Sequence, residues 1–280
     1  MTKTSRRILL LGGSGFLGRE IARRLRDQHQ LRATHCTSAA DSASIRFDIF
    51  KDPPELLGVR EGDLVICSAR LFDANLDAGA EAAQRVRAFQ RLLRSLARNR
   101  LLLLSTDAVF SGRAGQYTEK AEREPLTAYG RRMSLYEDLL RAELPDHCIV
   151  RASYLYGYSA GQLDKRLADS QQKLERGERL EFYDDMYKSP LEVAQAAEAV
   201  SALALSDFVG TVHAGGPRMS VYQFQREALA ALGMATTNVH PVAMPHEPTL
   251  TRDTSLNSAL MIRMTRVVPR SVAAALAGSE

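Results

Sequence analysis

Three glycines near the amino terminus have the spacing of a phosphate-binding loop. Gly12, Gly15 and Gly18 follow the apolar run Ile8-Leu9-Leu10-Leu11 and precede a segment whose apolar residues recur at helical spacing. In such a strand–turn–helix, the first glycine permits the turn, the second lets a pyrophosphate approach the backbone, and the third lets the helix pack closely on the strand. Free N–H groups and the positive end of the helix dipole then bind the phosphates. The loop predicts dinucleotide binding, with a purely structural turn as the alternative.

Further contacts to the dinucleotide are expected at the carboxyl ends of later strands, where ligands of parallel sheets bind. The predicted cofactor-binding residues are Gly12, Ser14, Gly15, Phe16, Leu17, Gly18, His35, Asp48, Ser68, Ala69 and Ser105. An acidic residue that binds the ribose of NAD is expected about 20 residues after the glycines, but residues 32–38 include none. We therefore favour NADP over NAD, with Arg32 or His35 facing the 2′-phosphate. The alternative is that both side chains are simply exposed to solvent. Asp48 is expected at the adenine edge, with an exposed loop position as its alternative.

A second polar group follows an apolar run that predicts a buried strand. Ser105, Thr106 and Asp107 end this strand, and Tyr129 begins a predicted helix. The run 104–112, together with 117–119 and 125–131, resembles the extended short-chain dehydrogenases, and among them the dTDP-4-dehydrorhamnose reductase group most closely. Further similar segments extend the resemblance over nearly the whole chain; they are 151–157, 188–191, 210–216 and 252–256.

The resemblance implies an NAD(P)-dependent reductase of a nucleotide-linked keto-sugar. In that family a tyrosine donates a proton to the substrate carbonyl as hydride arrives from the nicotinamide, and a serine or threonine hydroxyl holds the same oxygen. At the matching positions Tyr129 would be the acid and Thr106 its hydroxyl partner, while Asp107 would belong to the substrate pocket. Lys188 and Arg252 are expected to contact a diphosphate, since positioned cations favour anionic ligands; exposed surface charge is the alternative.

One catalytic position departs from the family pattern. The family has a lysine four residues after the tyrosine, on the same helix face, and this chain has Met133 there. A thioether cannot stabilise a phenolate as an ammonium does, and a tyrosine of ordinary pKa, about 10, is a poor acid–base group at neutral pH. Two functions stay open. One is a reductase that uses Arg132, another cation or water; the other is a non-catalytic nucleotide- or sugar-nucleotide-binding or regulatory protein.

Alternating strand and helix patterns predict the framework that positions these residues. A parallel sheet covered by helices on both faces follows from such alternation. The predicted strands are 7–11, 31–35, 45–47, 63–67, 101–105, 148–151, 180–183 and 211–214, and the predicted helices are 15–27, 81–98, 129–144, 162–176, 191–205 and 221–232. The tail from residue 238 is expected to be less regular. We predict a doubly wound Rossmann α/β domain from residues 1–152 and about 187–215, and a smaller α/β C-terminal substrate domain from about 153–186 and 216–280.

The composition limits the class of protein. Of the 280 residues, 45% are apolar and 6% aromatic, Trp is absent, and the net charge is +4; this predicts a globular protein and disfavours a stacking surface for nucleic acid. The 3 cysteines and 6 histidines lack the spacing of a disulfide framework or a metal site. No apolar run reaches about 18 residues, and the run at 8–11 is too short for a signal peptide. We expect a cytoplasmic protein without a metal and without a membrane or nucleic-acid partner.

A row of arginines on the helix predicted at 81–98 suggests an assembly. Arg87, Arg91, Arg94 and Arg98 recur at helical spacing beside the apolar face. A solvated face is the default interpretation, and a subunit contact in a homodimer is the better functional one. A nucleic-acid-binding stripe is disfavoured.

Overall fold

The computed structural model describes residues 5–37, 44–75, 79–247 and 250–277. Its strands are β1 (Arg7–Leu11), β2 (Gln30–His35), β3 (Ile45–Arg46), β4 (Leu64–Cys67), β5 (Arg100–Thr106), β6 (His147–Ala152), β7 (Leu155–Tyr156), β8 (Tyr158–Ser159), β9 (Gln162–Leu163), β10 (Leu180–Tyr183), β11 (Tyr187–Lys188), β12 (Leu191–Glu192), β13 (Gly210–Ala214), β14 (Met219–Ser220) and β15 (Val239–Val242). Its helices are α1 (Phe16–Leu25), α2 (Gly79–Ser95), α3 (Ala128–Glu143), α4 (Lys165–Glu175), α5 (Val193–Leu205), α6 (Val221–Ala231), α7 (Ala259–Thr265) and α8 (Val272–Ala277).

The central element is a seven-stranded sheet in the order β13-β6-β5-β4-β1-β2-β3. Each pair of neighbouring strands runs parallel. The strand order reverses between β1 and β4, which is where an open parallel sheet forms its ligand crevice beyond the carboxyl ends of the strands. The predicted doubly wound Rossmann sheet is confirmed.

Alternation along β1 explains how one sheet supports two cores. Successive side chains of a strand point to opposite faces. Ile8 and Leu10 therefore lie in the core that α1 and α5 complete. Leu9 and Leu11 lie in the core that α2 and α3 complete. Because both faces are covered, the strands consist of nearly continuous apolar runs rather than alternating ones.

The segments after β6 that lie outside the sheet form smaller cores. Helices α4, α6 and α8 pack around Tyr156, Leu167 and Phe224. Strands β10 and β15 pair in parallel and pack against α6. The predicted division of the chain into two domains stays a prediction. No helix of the part of the chain described above is long and apolar enough to cross a membrane.

Several helix boundaries differ from the predicted ones for local reasons. Helix α4 begins at Lys165 rather than 162, because Asp164 caps it by accepting from the Leu167 N–H and β9 pairs with β8 just before it. Helix α5 begins at Val193 because the two preceding residues pair with β7 as β12. The tail from residue 238, expected to be less regular, contains strand β15 and two short helices, α7 and α8, which pack on α5 and α6.

Candidate functional site

A cavity of about 870 Å³ opens at the carboxyl ends of the central strands. Its volume is that of a site for a cofactor-sized ligand. The predicted residues on its wall are Gly12, Ser14, Gly15, Phe16, Leu17, Asp48, Ser68, Ala69, Ser105, Thr106, Tyr129 and Met133. The fold therefore brings the glycine loop and the Ser-Thr and tyrosine motifs to one cavity.

The glycines of the loop meet different constraints. Gly12 has a φ of +82°, and a Cβ there would lie 2.5 Å from the Cα of Ala69 on the adjoining strand end. A Cβ on Gly18 would lie 2.1 Å from the Gly12 carbonyl oxygen, so this glycine permits the close packing of α1 on the loop. Gly15 is exposed, and its Cβ would meet only the Gly12 oxygen, at 3.3 Å. Packing within the protein therefore requires glycine at positions 12 and 18. At position 15 the packing constraint is weaker, and the residue lines the cavity.

The loop is held so that the start of α1 faces the cavity. The N–H of Gly12 donates to the Thr34 hydroxyl at 3.1 Å, and the N–H of Gly13 donates to the Thr34 carbonyl at 2.8 Å. Helix α1 begins directly after Gly15, which has no side chain to cap it. The first N–H groups of a helix have no partner within the helix, and they favour phosphate. These features fit the pyrophosphate of a dinucleotide.

The far end of the cavity contains cations that the sequence motifs did not single out. Arg46 and Lys51 line the cavity beside Asp48, with the Lys51 ammonium 3.9 Å from the Asp48 carboxylate. His35 does not line it; its Nδ1 hydrogen-bonds the Ser44 hydroxyl at 2.9 Å. Their positions in the sequence could have identified the two cations, because both lie next to the end of β3, as does the predicted cofactor residue Asp48.

Arg32, the other residue considered for the 2′-phosphate, also lies away from the cavity. Its guanidinium donates to the Gly58 carbonyl at 3.3 Å. Whichever cofactor binds, the cations nearest the expected adenine end are therefore Arg46 and Lys51 rather than Arg32.

Thr106 and Tyr129 meet where the sheet ends. The Thr106 hydroxyl accepts from the Ala108 N–H at 3.1 Å and donates to the Asp107 carboxylate at 3.2 Å, so it caps the short 3-10 turn that follows β5. Tyr129 begins the first turn of α3 and is 38% exposed, with its ring 5.5 Å from that of Phe72. Both side chains line the cavity.

The surroundings of Tyr129 keep its phenol protonated. Burial raises the pKa of Tyr129, the negative charge of Asp107 raises it further, and only a hydrogen bond with the Thr106 hydroxyl opposes these effects. No cation among the described residues lies close enough to the phenol to be a direct cause of a lower pKa. The phenol is therefore a donor at neutral pH and a weaker acid than an ordinary tyrosine.

Met133 occupies the place of the family's lysine. It lies one helical turn after Tyr129, lines the same cavity and is 3% exposed. Arg132, the candidate substitute, is directed elsewhere: it donates to the Ala82 carbonyl on α2 at 3.2 Å, and its guanidinium lies 5.8 Å from the Tyr136 ring. It does not line the cavity.

The predicted substrate residues separate into two places. Asp107 is buried, and one of its oxygens accepts from the Lys188 ammonium at 3.0 Å, the Ser153 hydroxyl at 3.0 Å and the Thr254 hydroxyl at 2.8 Å. Arg252 instead pairs with Asp185 at 2.5 Å and is half exposed. The structure thus places Lys188 at the end of β5 where Thr106 and Tyr129 meet, called here the Thr106 corner. It leaves Arg252 outside this corner.

A buried charge network behind this corner was missed by the sequence motifs. The Ser105 hydroxyl donates to Glu137 at 2.6 Å, and Arg151 donates to both oxygens of the same carboxylate. Burial raises the pKa of Glu137, but the hydrogen bonds from Arg151 and Ser105 and the charges of Arg151 and Arg141 outweigh burial and hold that pKa below its usual range. A signal was present in the sequence: Glu137 lies eight residues after Tyr129, on the same face of α3.

His213 completes the network on β13. Its Nδ1 hydrogen-bonds the Tyr117 carbonyl at 2.9 Å, and its Nε2 lies 3.4 Å from an Arg151 nitrogen. Burial and the Arg151 charge lower the pKa of His213 to about 4. This histidine is therefore neutral at pH 7. Within the described ranges, no group of three or more His, Cys, Asp or Glu side chains is arranged to hold a metal ion.

Comparisons with known proteins agree on one family. The chain matches the family model described as RmlD substrate binding domain over residues 6–270. It is 30% identical over 268 residues to a dTDP-4-dehydrorhamnose reductase of Mycobacterium tuberculosis, which covers 89% of this chain and 83% of that protein. It is 28% identical over 246 residues to a dTDP-4-keto-6-deoxy-D-glucose reductase of Streptomyces niveus, with 84% and 82% covered. Its fold is similar to that of a dTDP-4-dehydrorhamnose reductase from Bacillus anthracis solved in complex with NADP, with a TM-score of 0.78, 18% identity and 97% of each chain covered.

Proposed function

The chain belongs to the RmlD substrate binding domain family, and from this premise we propose that it is an NADP-dependent reductase of a nucleotide-linked keto-sugar. The observation that carries the proposal is the shared cavity, whose wall includes both the glycine loop and the pair Thr106 and Tyr129. A phosphate-binding loop alone fits many nucleotide-binding proteins. A proton donor on the same wall, beside a hydroxyl that can hold a carbonyl oxygen, fits reduction.

The cofactor is proposed to lie along the glycine loop. NADPH, when bound, supplies the hydride. The start of α1 and the open backbone at Gly15 are suited to its pyrophosphate, and Arg46 and Lys51 are suited to a 2′-phosphate. The similar Bacillus anthracis structure, which contains NADP, supports NADP; NAD is the alternative. Asp48, Ser68, Ala69 and the other cofactor residues on the cavity wall keep their roles as proposals, whereas His35, which bonds Ser44 away from that wall, is not proposed to face the 2′-phosphate.

Proton transfer is assigned to Tyr129. Its raised pKa keeps the phenol protonated, so it can donate to the carbonyl oxygen that becomes a hydroxyl. The Thr106 hydroxyl is placed to hold the same oxygen, and its own position is fixed by the N–H of Ala108 at 3.1 Å. Buried Asp107 anchors this corner from the side away from the solvent.

The substrate is proposed to bind between the Thr106 corner and the segments after β6. The predicted substrate domain, about 153–186 and 216–280, would hold the sugar nucleotide. Arg252 is half exposed and is suited to an anionic part of that ligand. A cytoplasmic location belongs to the same proposal.

A homodimer through α2 is also proposed. The arginine row is partly used within the chain, since Arg94 bonds Glu143 at 3.2 Å and Arg98 bonds Glu61 at 3.0 Å. Arg87 and Arg91 are exposed on the same helix and would meet the second subunit.

A second candidate function is a regulatory or carrier protein that binds the nucleotide and the sugar without efficient hydride transfer. The specific observation that favours it is Met133 beside a tyrosine whose pKa is raised. In this case the cavity would bind its ligands and the proton donor would be too weak for turnover.

One experiment separates the two candidates. The purified protein is mixed with NADPH and with dTDP- or UDP-linked 4-keto-sugars, and loss of NADPH absorbance is followed. The reductase proposal expects turnover that Tyr129→Phe abolishes, while calorimetry shows that this variant still binds NADPH. Tight binding of both ligands without turnover supports the carrier instead, and absence of any NADPH binding overturns both.

A further inference from the structure

We propose that Lys188 is a positioning residue that supplies, through Asp107, part of the positive charge missing at Met133. Its ammonium neutralises the Asp107 carboxylate beside Thr106 and Tyr129, so that the phenol can still act as an acid. This inference rests on the proposed reductase function for its purpose, but its physical content can be measured without turnover.

The contacts form a continuous path from cation to phenol. Lys188 donates to Asp107 Oδ2 at 3.0 Å and to the Thr254 hydroxyl at 2.7 Å, and Thr254 donates to the same Oδ2 at 2.8 Å. The other oxygen, Oδ1, accepts from Thr106 at 3.2 Å. Thr106 in turn lies near enough to Tyr129 to lower the pKa of its phenol. The lysine therefore acts at one remove from the reacting atoms.

The effect follows from the charge of Asp107. A carboxylate near a phenol disfavours the phenolate, which makes the phenol a weaker acid. An ammonium 3.0 Å from that carboxylate offsets its field at the phenol. It also makes the carboxylate a weaker acceptor for the Thr106 hydrogen, which frees this hydroxyl to hold a carbonyl oxygen.

Other charged groups around Asp107 do not supply this compensation. His213 lies near enough for Asp107 to influence its pKa, but that pKa is about 4 and the ring is neutral at pH 7. Arg151 is committed to Glu137 through two hydrogen bonds. On the segment that carries Thr254, the charge of Asp253 is paired with Arg218 at 2.7 Å. Lys188 is therefore the cation that contacts Asp107 among the described residues.

On the solvent side of Tyr129, the positive charge of Arg70 is already balanced by a neighbouring carboxylate. Arg70 lines the cavity, but its guanidinium is bound to Asp73 at 3.0 Å and to the Phe72 carbonyl at 3.0 Å. Its side chain is also largely exposed, so solvent screens its charge. The balance between Asp107 and Lys188 consequently decides the charge behind the phenol.

The test measures the pKa of Tyr129 by fluorine NMR, with 3-fluorotyrosine incorporated at position 129 in every variant. Lys188→Met is expected to raise this pKa, by less than the roughly 1–3 units of a charge within 4–6 Å, because Lys188 contacts Asp107 rather than the phenol itself. Asp107→Asn is expected to lower it. The double variant D107N/K188M is expected to have a higher pKa than D107N, because the field of the ammonium acts on the phenol with or without the carboxylate. The control is Lys173→Met, which removes an exposed lysine on α4 and should leave the pKa unchanged.

Two results overturn the inference. One is an unchanged Tyr129 pKa in Lys188→Met; the other is a Tyr129 pKa that does not fall in Asp107→Asn. Should K188M fail to fold, as judged by circular dichroism, the comparison of D107N with D107N/K188M remains, and equal pKa values in these two also overturn the inference.

Turnover, where present, separates this role from substrate binding. At neutral pH, K188M should lower kcat by up to about tenfold, the equivalent of one pKa unit, with little change in the KM of the keto-sugar. A raised KM with unchanged kcat and unchanged Tyr129 pKa assigns Lys188 to ligand binding and overturns the inference. Since the titration needs neither NADPH nor substrate, a protein that never oxidises NADPH refutes the proposed reductase while leaving the charge coupling measurable.

Discussion

Arg151 donates hydrogen bonds to both carboxylate oxygens of Glu137, at 2.9 and 2.7 Å, and both side chains are almost completely buried. The pair joins β6 to α3 directly behind Ser105, whose hydroxyl donates to the same carboxylate. It therefore fixes the helix that carries Tyr129 against the strand ends that form the rest of the corner. Breaking a buried pair leaves one charge uncompensated, which costs far more than the pair contributes relative to apolar residues.

Replacing Arg151 alone should therefore destabilise the protein strongly. Arg151→Met is expected to lower the free energy of unfolding by about 3 kcal/mol, the low end for a broken buried pair, because Arg141 and Arg123 still lie 3.1 and 3.3 Å from Glu137; urea denaturation measures the loss. The double variant R151M/E137L removes both charges and should recover most of the loss. As control, Arg179→Met breaks an exposed pair with Glu181 and should change stability by less than about 1 kcal/mol. A loss no larger than that of the control contradicts a structural role for the pair.

His213 should make the protein sensitive to mild acid. Its pKa is about 4 in the folded protein against 6.5 as an ordinary histidine, so between these values the unfolded chain binds a proton that the folded one does not. Stability should accordingly fall as the pH is lowered from about 6.5 to 4, by up to about 1.4 kcal/mol per unit. Urea midpoints across this range measure the slope, and His213→Asn should flatten it. An equal slope in the variant assigns the acid sensitivity to other groups.

Glu137 affects stability in a lower pH range than His213. Its pKa is held below the usual glutamate value, so its contribution is complete above that value, about 4.3, and is lost as the pH falls further. Acid unfolding that persists in His213→Asn should therefore begin below that pH.

Parts of the fold and site that depend on local sequence could be predicted from it. The apolar run of β1 and the glycines after it are contiguous in sequence, so the strand, the turn and the start of α1 were all identifiable. Thr106 and Tyr129 were identifiable because the resemblance rests on unbroken motifs. Where a capping residue or a strand pairing sets the first residue of a helix, as Asp164 does for α4, the apolar periodicity predicted the wrong start.

Contacts between distant segments could not be predicted in this way. Lys188 meets Asp107 across 81 residues, and no spacing rule links a lysine on a two-residue strand to a carboxylate after β5. Arg132 is the opposite case, a contact that the sequence suggested and the fold does not make. Its place beside Met133 suggested a substitute cation, but its contact with α2 directs it away from the cavity. Such partners follow from the packing of the helices against the sheet.

The glycine loop allows a matched pair of substitutions. Gly15→Ala should cost less stability than Gly18→Ala, because its Cβ meets one atom, the Gly12 oxygen, at 3.3 Å, but it should weaken NADPH binding by at least about tenfold by filling space next to the phosphates. Gly18→Ala should lower stability as well, because its Cβ would lie 2.1 Å from a carbonyl oxygen. Calorimetric titration and thermal unfolding measure the two effects. Unchanged NADPH affinity in Gly15→Ala contradicts placement of the pyrophosphate there.

Cofactor choice should depend on the cations after β3. Arg46→Ala and Lys51→Ala are each expected to weaken NADPH binding by about tenfold, the size of one charge-assisted contact, with little effect on NADH. Arg32→Ala is the control, because that guanidinium bonds the Gly58 carbonyl outside the cavity. Equal losses for NADPH and NADH would show that the two cations do not contact a 2′-phosphate.

Met133→Lys tests whether the missing cation limits the reaction. Met133 is buried yet lines the cavity, so a lysine there can extend its ammonium toward Tyr129 on the adjacent turn. An opposite charge within about 4–6 Å of a group shifts its pKa by roughly 1–3 units, here lowering the raised pKa of the phenol and making it a stronger acid. We expect kcat at neutral pH to rise at least about tenfold, with the pH optimum unchanged or lower. Met133→Leu keeps the volume without the charge and should show no gain. If Met133→Lys binds NADPH normally and gains nothing, the proton donor does not limit turnover, and the carrier function becomes the better account of this cavity.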